Sequence, residues 1–236
     1  MLFTLLQSRD PLEAILSLLL TLPIMLLALS LHETAHGWVA WRCGDPTAMN
    51  LGRLTLNPLK HLDPMGLIFL MVFGYGWAKP VPINTRYFRK PKRDMALTAA
   101  AGPAANLLLG LVNAVLFGIF WGLSLAQSAL GAAGMLVIFL SVFSETFFYA
   151  AAINFMFMLF NLIPVPPFDG SRIALVFLPE KLYFGIMRYE RQIMIVLLIA
   201  MLVLSRFGYS PIGYVASRLP NLIGRPIAQG ILDLIV

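Results

Sequence analysis

Residues 14–36 read AILSLLLTLPIMLLALSLHETAH. Ala14 to Leu31 is almost purely apolar, and His32-Glu33-Thr34-Ala35-His36 follows it directly. A bilayer-spanning helix needs about 20 such residues. A charged side chain inside such a helix costs about 2.5–3.5 kcal/mol even on lenient insertion scales. Three ionisable groups at the end of a span are tolerated when they bind something.

Composition agrees with a membrane reading. The chain has 236 residues, 59% of them hydrophobic and 12% charged, against about 25% charged in an ordinary globular chain. No basic region followed by a short apolar core and a cleavage site stands at the N-terminus, so the first helix reads as a retained span and not a signal peptide. One cysteine, Cys43, excludes an internal disulfide and reads as small apolar filler at a helix end. The net charge of +6 fits basic loops beside lipid better than a nucleic-acid partner.

Four stretches are long enough to span: about Pro11 to Trp41, Met95 to Leu123, Gly134 to Phe160 and Gln192 to Phe207. A fifth, Met65 to Ala78, is short and glycine-rich and reads as re-entrant or interfacial. Lysines and arginines crowd the stretch from Arg42 to Arg93 and recur from Arg172 to Arg191, whereas Ser124 to Ala133 carries no charge. The positive-inside rule places the first two regions in the cytoplasm and the bare connector outside. Around Gly52 and Arg53, and again over Trp77 to Ile83, alternation predicts short strands, the second an edge strand because of its prolines. The expected architecture is an all-α polytopic membrane protein with a small β-hairpin on the cytoplasmic side. It is a single domain over 1–236, with a catalytic core of about 11–175 and a C-terminal helix and tail over about 176–236. The tail from Tyr209 onward reads as an interfacial amphipathic segment.

In a helix each residue turns about 100° and rises about 1.5 Å, so His32 and His36 sit one turn apart on one face, with Glu33 on its flank. This is a metal-protease spacing, two ligands and a general base. Catalytic zinc usually takes three protein ligands. The candidates for the third are His61 and Asp63 in the cytoplasmic loop, Glu145 in the third span and Asp169 just past it. Topology carries Asp169 to the level of the histidines and leaves Glu145 near the outer interface. Asn161 to Gly170, with Pro164, Pro166 and Pro167, reads as broken backbone, which a membrane tolerates where it is buried in protein or lines a cavity. Ala101 to Asn106 offers small residues for close packing, and Asn106 can bond to a partner helix.

Three motifs together resemble the site-2 protease family of intramembrane zinc metalloproteases: His32-Glu33-Thr34-Ala35-His36, the Ala-Gly-Pro-x-x-Asn stretch at Ala101 to Asn106, and the Asn-x-x-Pro-x-Pro-x-x-Asp-Gly stretch at Asn161 to Gly170. The resemblance implies a three-helix core, one catalytic zinc ion on His32, His36 and Asp169, Glu33 as catalytic base and Asn161 as a substrate-holding residue. It also implies a minimal member acting on transmembrane segments of other proteins in the lipid bilayer, multi-pass in the inner membrane, with its site toward the cytoplasm. The expected chemistry is attack by a zinc-activated water after proton transfer to Glu33, with an edge strand such as Trp77 to Ile83 holding the unwound substrate. A non-proteolytic metal-binding scaffold, or pseudo-protease, is the competing reading, and an intact Glu33 argues against it. A metal transporter is a third, opposed by ligands gathered at one level. The sequence names neither substrate nor oligomeric state.

Overall fold

The computed structural model describes residues 11–73, 76–132, 134–207 and 210–236. Among these the chain is helical, in the order α1 (Pro11–Arg42), α2 (Thr47–Asn50), α3 (Pro64–Phe73), α4 (Pro91–Ala129), α5 (Met135–Asn161), α6 (Asp169–Ala174), α7 (Glu180–Met187), α8 (Glu190–Arg206) and α9 (Pro211–Ile235). Three are long and apolar enough to cross a membrane: α1 over Leu19–Arg42, α4 and α5. The polytopic all-α expectation holds for these three. The fourth expected span falls on α8, whose 17 residues sit at the lower limit of about 17–25 for a crossing. α4, with 39 residues, runs about 58 Å at 1.5 Å per residue. It therefore extends well beyond a hydrocarbon core of about 30 Å. α3 covers ten residues, about 15 Å. Gly74 and Tyr75, within the segment read as re-entrant, lie outside the described residues, as do the first ten residues, Ala133, Gly208 and Tyr209.

The expected β-hairpin does not form among the described residues. Met49 and Asn50 belong to α2, and pairing is reduced to one antiparallel bridge, Leu62 with Ala78. The physical reason is where the amide groups go. Leu51 N–H bonds back to Thr47 and Arg53 N–H to Ala48, closing a turn through Gly52, whose φ of +62° is the left-handed region that glycine enters freely. On the other side Pro80 and Pro82 have no N–H to offer a ladder. The amide of Val81 is taken by a side chain of α1.

The described residues divide into two compact units, one of residues up to Ala105 plus Met158–Ser210, the other of Asn106–Phe157 plus Pro211–Val236. In the first unit the long loop after α1 is fastened by buried polar contacts. Asp45 accepts the Asn84 amide at 2.6 Å. The Thr55 carbonyl accepts both Thr34 Oγ1 and His61 Nε2 at 2.7 Å. The amide of Lys79 donates to the His61 carbonyl at 2.9 Å. Cys43 is half-buried beyond the end of α1. Burial, then the nearby Asp94 charge, pushes its thiol up, which suits a filler more than a nucleophile.

In the second unit Asn106 Nδ2 donates to Asn154 Oδ1 at 2.9 Å, and Asn154 Nδ2 to the Ala150 carbonyl at 2.8 Å. Both asparagines are fully buried, so the interhelical bond expected of Asn106 is present between α4 and α5. The tail read as an amphipathic segment forms α9, and one side of it packs within this unit. A Cβ on Gly118 would lie 2.8 Å from Gly224 Cα, and one on Gly122 would lie 2.9 Å from Ala228 Cα. Such small-residue pairs let helix backbones approach closely.

Candidate metal centre

His32 and His36 project from the last third of α1 and are 5% and 6% exposed. Their rings lie edge to face at 86°, with the two Nε2 atoms 3.0 Å apart. Asp169 opens α6 and brings its Oδ2 to 3.1 Å from each of them. The three donor atoms form a nearly equilateral triangle, whose centre lies just inside zinc's bonding distance of about 2.0–2.2 Å. Among the described residues this is the group of three that can share one metal ion.

The hydrogen bond behind His36 orients one donor of the triangle. His36 Nδ1 lies 2.7 Å from the carbonyl of Thr98 in α4. A carbonyl only accepts, so Nδ1 carries the proton and Nε2 presents a lone pair to the triangle. This is the outer-shell arrangement that orients metal-binding imidazoles. A His36 lone pair, the His32 ring nitrogen and the Asp169 carboxyl converging at about 3 Å suit a shared cation.

Space for that charge comes from α4. A Cβ on Gly102 would fall 2.6 Å from His32 Nε2 and closer still to His36 Nε2. The glycine is thus a cradle for the donor atoms. Next to it Pro103 has no N–H, so the Ala99 carbonyl one turn back lacks that helical donor. Gly170 acts by close approach too: a Cβ there would sit 2.6 Å from the Leu162 carbonyl carbon. Its φ is not positive, so the loop presses onto α6 and does not exploit a left-handed turn. Donor types, spacing and the Gly102 cradle fit zinc.

Glu33, 9% exposed, accepts the Val81 amide on Oε2 at 2.9 Å. Gly37 lets the loop come this close, since a Cβ there would be 3.2 Å from Val81 Cγ1 and 2.6 Å from Leu54 Cδ2. The other candidates for a third ligand have different duties. His61 is fully buried on the Thr55 carbonyl. Asp63 accepts the Gly66 amide at the start of α3. Glu145 is exposed on α5. Asn161 ends α5, half-buried, eight positions before Asp169. Thr98, Gly102 and Val81 escaped the sequence reading. Two of them act through main-chain atoms, which have no residue signature, and Gly102 was legible only as a small residue in its motif.

The arrangement brings two buried histidines and a half-buried aspartate together as a possible metal site, with the Glu33 carboxylate beside it, on helices able to span a membrane. Residues 20–205 match Peptidase family M50, and the chain belongs to that family, the site-2 proteases, as its three motifs indicate. The chain is 40% identical over 149 residues to YwhC of Bacillus subtilis, covering 63% of this chain and 64% of that protein. It is 31% identical over 166 residues to Rip2 of Mycolicibacterium smegmatis, covering 68% and 58%. Both relatives carry the words zinc metalloprotease in their names. The matched stretch therefore spans less than two thirds of either relative. No solved structure matches the chain.

Proposed function

We propose that the protein is an intramembrane zinc metalloprotease that cuts transmembrane segments of other membrane proteins, working as one protease domain. The observation that carries this reading is the convergence of His32 Nε2, His36 Nε2 and Asp169 Oδ2 within 3.0–3.1 Å, one residue from the buried Glu33. His32, His36 and Asp169 would hold one zinc ion. When bound, zinc supplies Lewis-acid polarisation of a carbonyl and acidification of water.

The chain's own residues do the rest. Glu33 is the general base. Its Oε2 is held by the Val81 amide, which leaves Oε1 to take the proton and later to hand it to the leaving amine. Thr98 keeps His36 in the tautomer that offers Nε2 to the ion. Membrane burial around α1 limits water to what the site admits. A helical substrate keeps its carbonyls hydrogen-bonded within its own turns, so the segment must unwind before it reaches Glu33. Asn161, at the mouth of the proline-broken loop, would hold it. The basic loop on either side of α3 supports a site facing the cytoplasm and an inner-membrane location.

The test uses purified wild type and Glu33→Gln with single-span substrates and a zinc assay. Zinc in both proteins with cleavage by the wild type alone is the expected result. Cleavage by Glu33→Gln at the wild-type rate would overturn the assignment of the base. Zinc in both with cleavage by neither would favour the non-proteolytic scaffold.

A further inference from the structure

Arg53 follows the left-handed Gly52 and turns inward, 8% exposed. Its Nη2 donates to the carbonyl of Lys79 at 2.8 Å and to that of Pro80 at 3.3 Å. The Pro80 carbonyl belongs to the peptide group whose other end is the Val81 amide, and that amide donates to Glu33 Oε2 at 2.9 Å. One peptide group therefore has a buried guanidinium on its oxygen and a buried carboxylate on its N–H.

Several consequences follow from elementary electrostatics. The peptide dipole is aligned with both charges, and hydrogen bonds in series polarise one another. Each end of the chain is charge-assisted, and such bonds are shorter and about twice as strong as neutral ones. A buried guanidinium is costly without a compensating charge. The Glu33 carboxylate, one peptide away, offsets it. Pro80 and Pro82 have no amide hydrogen, so Val81 is the single donor of that triplet. Val81 itself is 6% exposed, packed where Gly37 makes room. Arg53 Nε is buried without a partner among the described residues, a penalty that a simple loop fastener would avoid.

We infer that Arg53 is a positioning residue for proton transfer: through the Pro80–Val81 peptide it fixes the orientation of the Glu33 carboxylate and supplies its counter-charge. The inference rests on Glu33 being the base. It concerns how that base is held, not which residue it is.

The experiment compares the full-length wild type with Arg53→Met, Arg53→Lys, Val81→Pro and the double variant Arg53→Met/Val81→Pro in proteoliposomes containing a single-span substrate. kcat, KM, bound zinc and thermal midpoint are read for each. Arg53→Met should lower kcat by about 10- to 100-fold, the range for outer-shell partners, with KM within about two-fold and zinc unchanged. Arg53→Lys, which keeps the charge but not the fork, should recover part of that loss. It carries the test by itself should the methionine variant fail to fold. Val81→Pro, which deletes the donor, should act like Arg53→Met, and the double variant should be no worse than the poorer single one, because both break one chain. A raised KM with kcat intact would make Arg53 a substrate contact and overturn the inference. Wild-type kcat in both Arg53 variants, or multiplicative losses in the double, would overturn it too. Activity surviving in Glu33→Gln would instead remove the assignment of the base.

Discussion

Replacing Gly102 with alanine should weaken metal binding at the proposed centre while leaving the helices in place. The added Cβ would stand 2.6 Å from His32 Nε2 and nearer to His36 Nε2, whereas ordinary contacts of a Cβ begin at 3.4 Å. The rings would have to retreat by the difference, roughly 0.8 Å, yet a zinc site tolerates ligand displacements of only about 0.2 Å. Overpacking of this kind costs about 1–3 kcal/mol. Spent entirely on the site, that is about 5- to 150-fold in metal affinity. The assay is competition for zinc against a chelator of known affinity, read beside circular dichroism and a thermal midpoint. Gly110→Ala is the matched control on the same helix. Its Cβ would press on the Phe155 ring at 2.8 Å, away from any ligand, so it should disturb packing and leave zinc affinity alone. Wild-type zinc affinity in Gly102→Ala would refute the cradle, and equal losses in both variants would show that α4 responds as a whole.

Two further outcomes test the second unit. Asn154→Ala should cost about 0.6–1.7 kcal/mol of unfolding free energy, the range for interhelical hydrogen bonds in membranes. Combining it with Asn106→Ala should cost less than the sum of the singles. Additive losses, measured by reversible unfolding in detergent or bicelles, would deny the pairing. Gly224→Leu drives a side chain into the Phe117 ring, since even a Cβ at that glycine would lie 2.6 Å from Phe117 Cε1. It should lower stability by about 1–3 kcal/mol with zinc stoichiometry unchanged, and a loss of zinc would contradict the local reading.

Much of this is legible in the sequence. Apolar length announced α1, α4 and α5, because lipid leaves the backbone few alternatives to a helix. The i, i+4 spacing of His32 and His36 fixed their convergence, and topology brought Asp169 to them across 133 positions. The alternation around Gly52 and at Trp77 to Ile83 misled, because a period of two reports side-chain direction and not where the amides find acceptors. There, turn closure and Glu33 took the donors. α9 was hard to read because Pro220 and Pro226 resemble helix breakers. A chain tolerates them inside a helix when neighbouring packing compensates, and Gly118 and Gly122 provide that packing. Arg53 read as one more loop cation, since burial is not written in a basic residue's letter.

The bond from His36 to the Thr98 carbonyl has a consequence for mutational scanning. The oxygen that sets the imidazole's tautomer belongs to the main chain, so every amino acid at position 98 carries it. An alanine scan along α4 would find position 98 sensitive only through packing and would miss its role toward the metal. The same property shelters the centre from drift: the sequence there can change while the acceptor persists, and only a movement of the helix backbone can take it away.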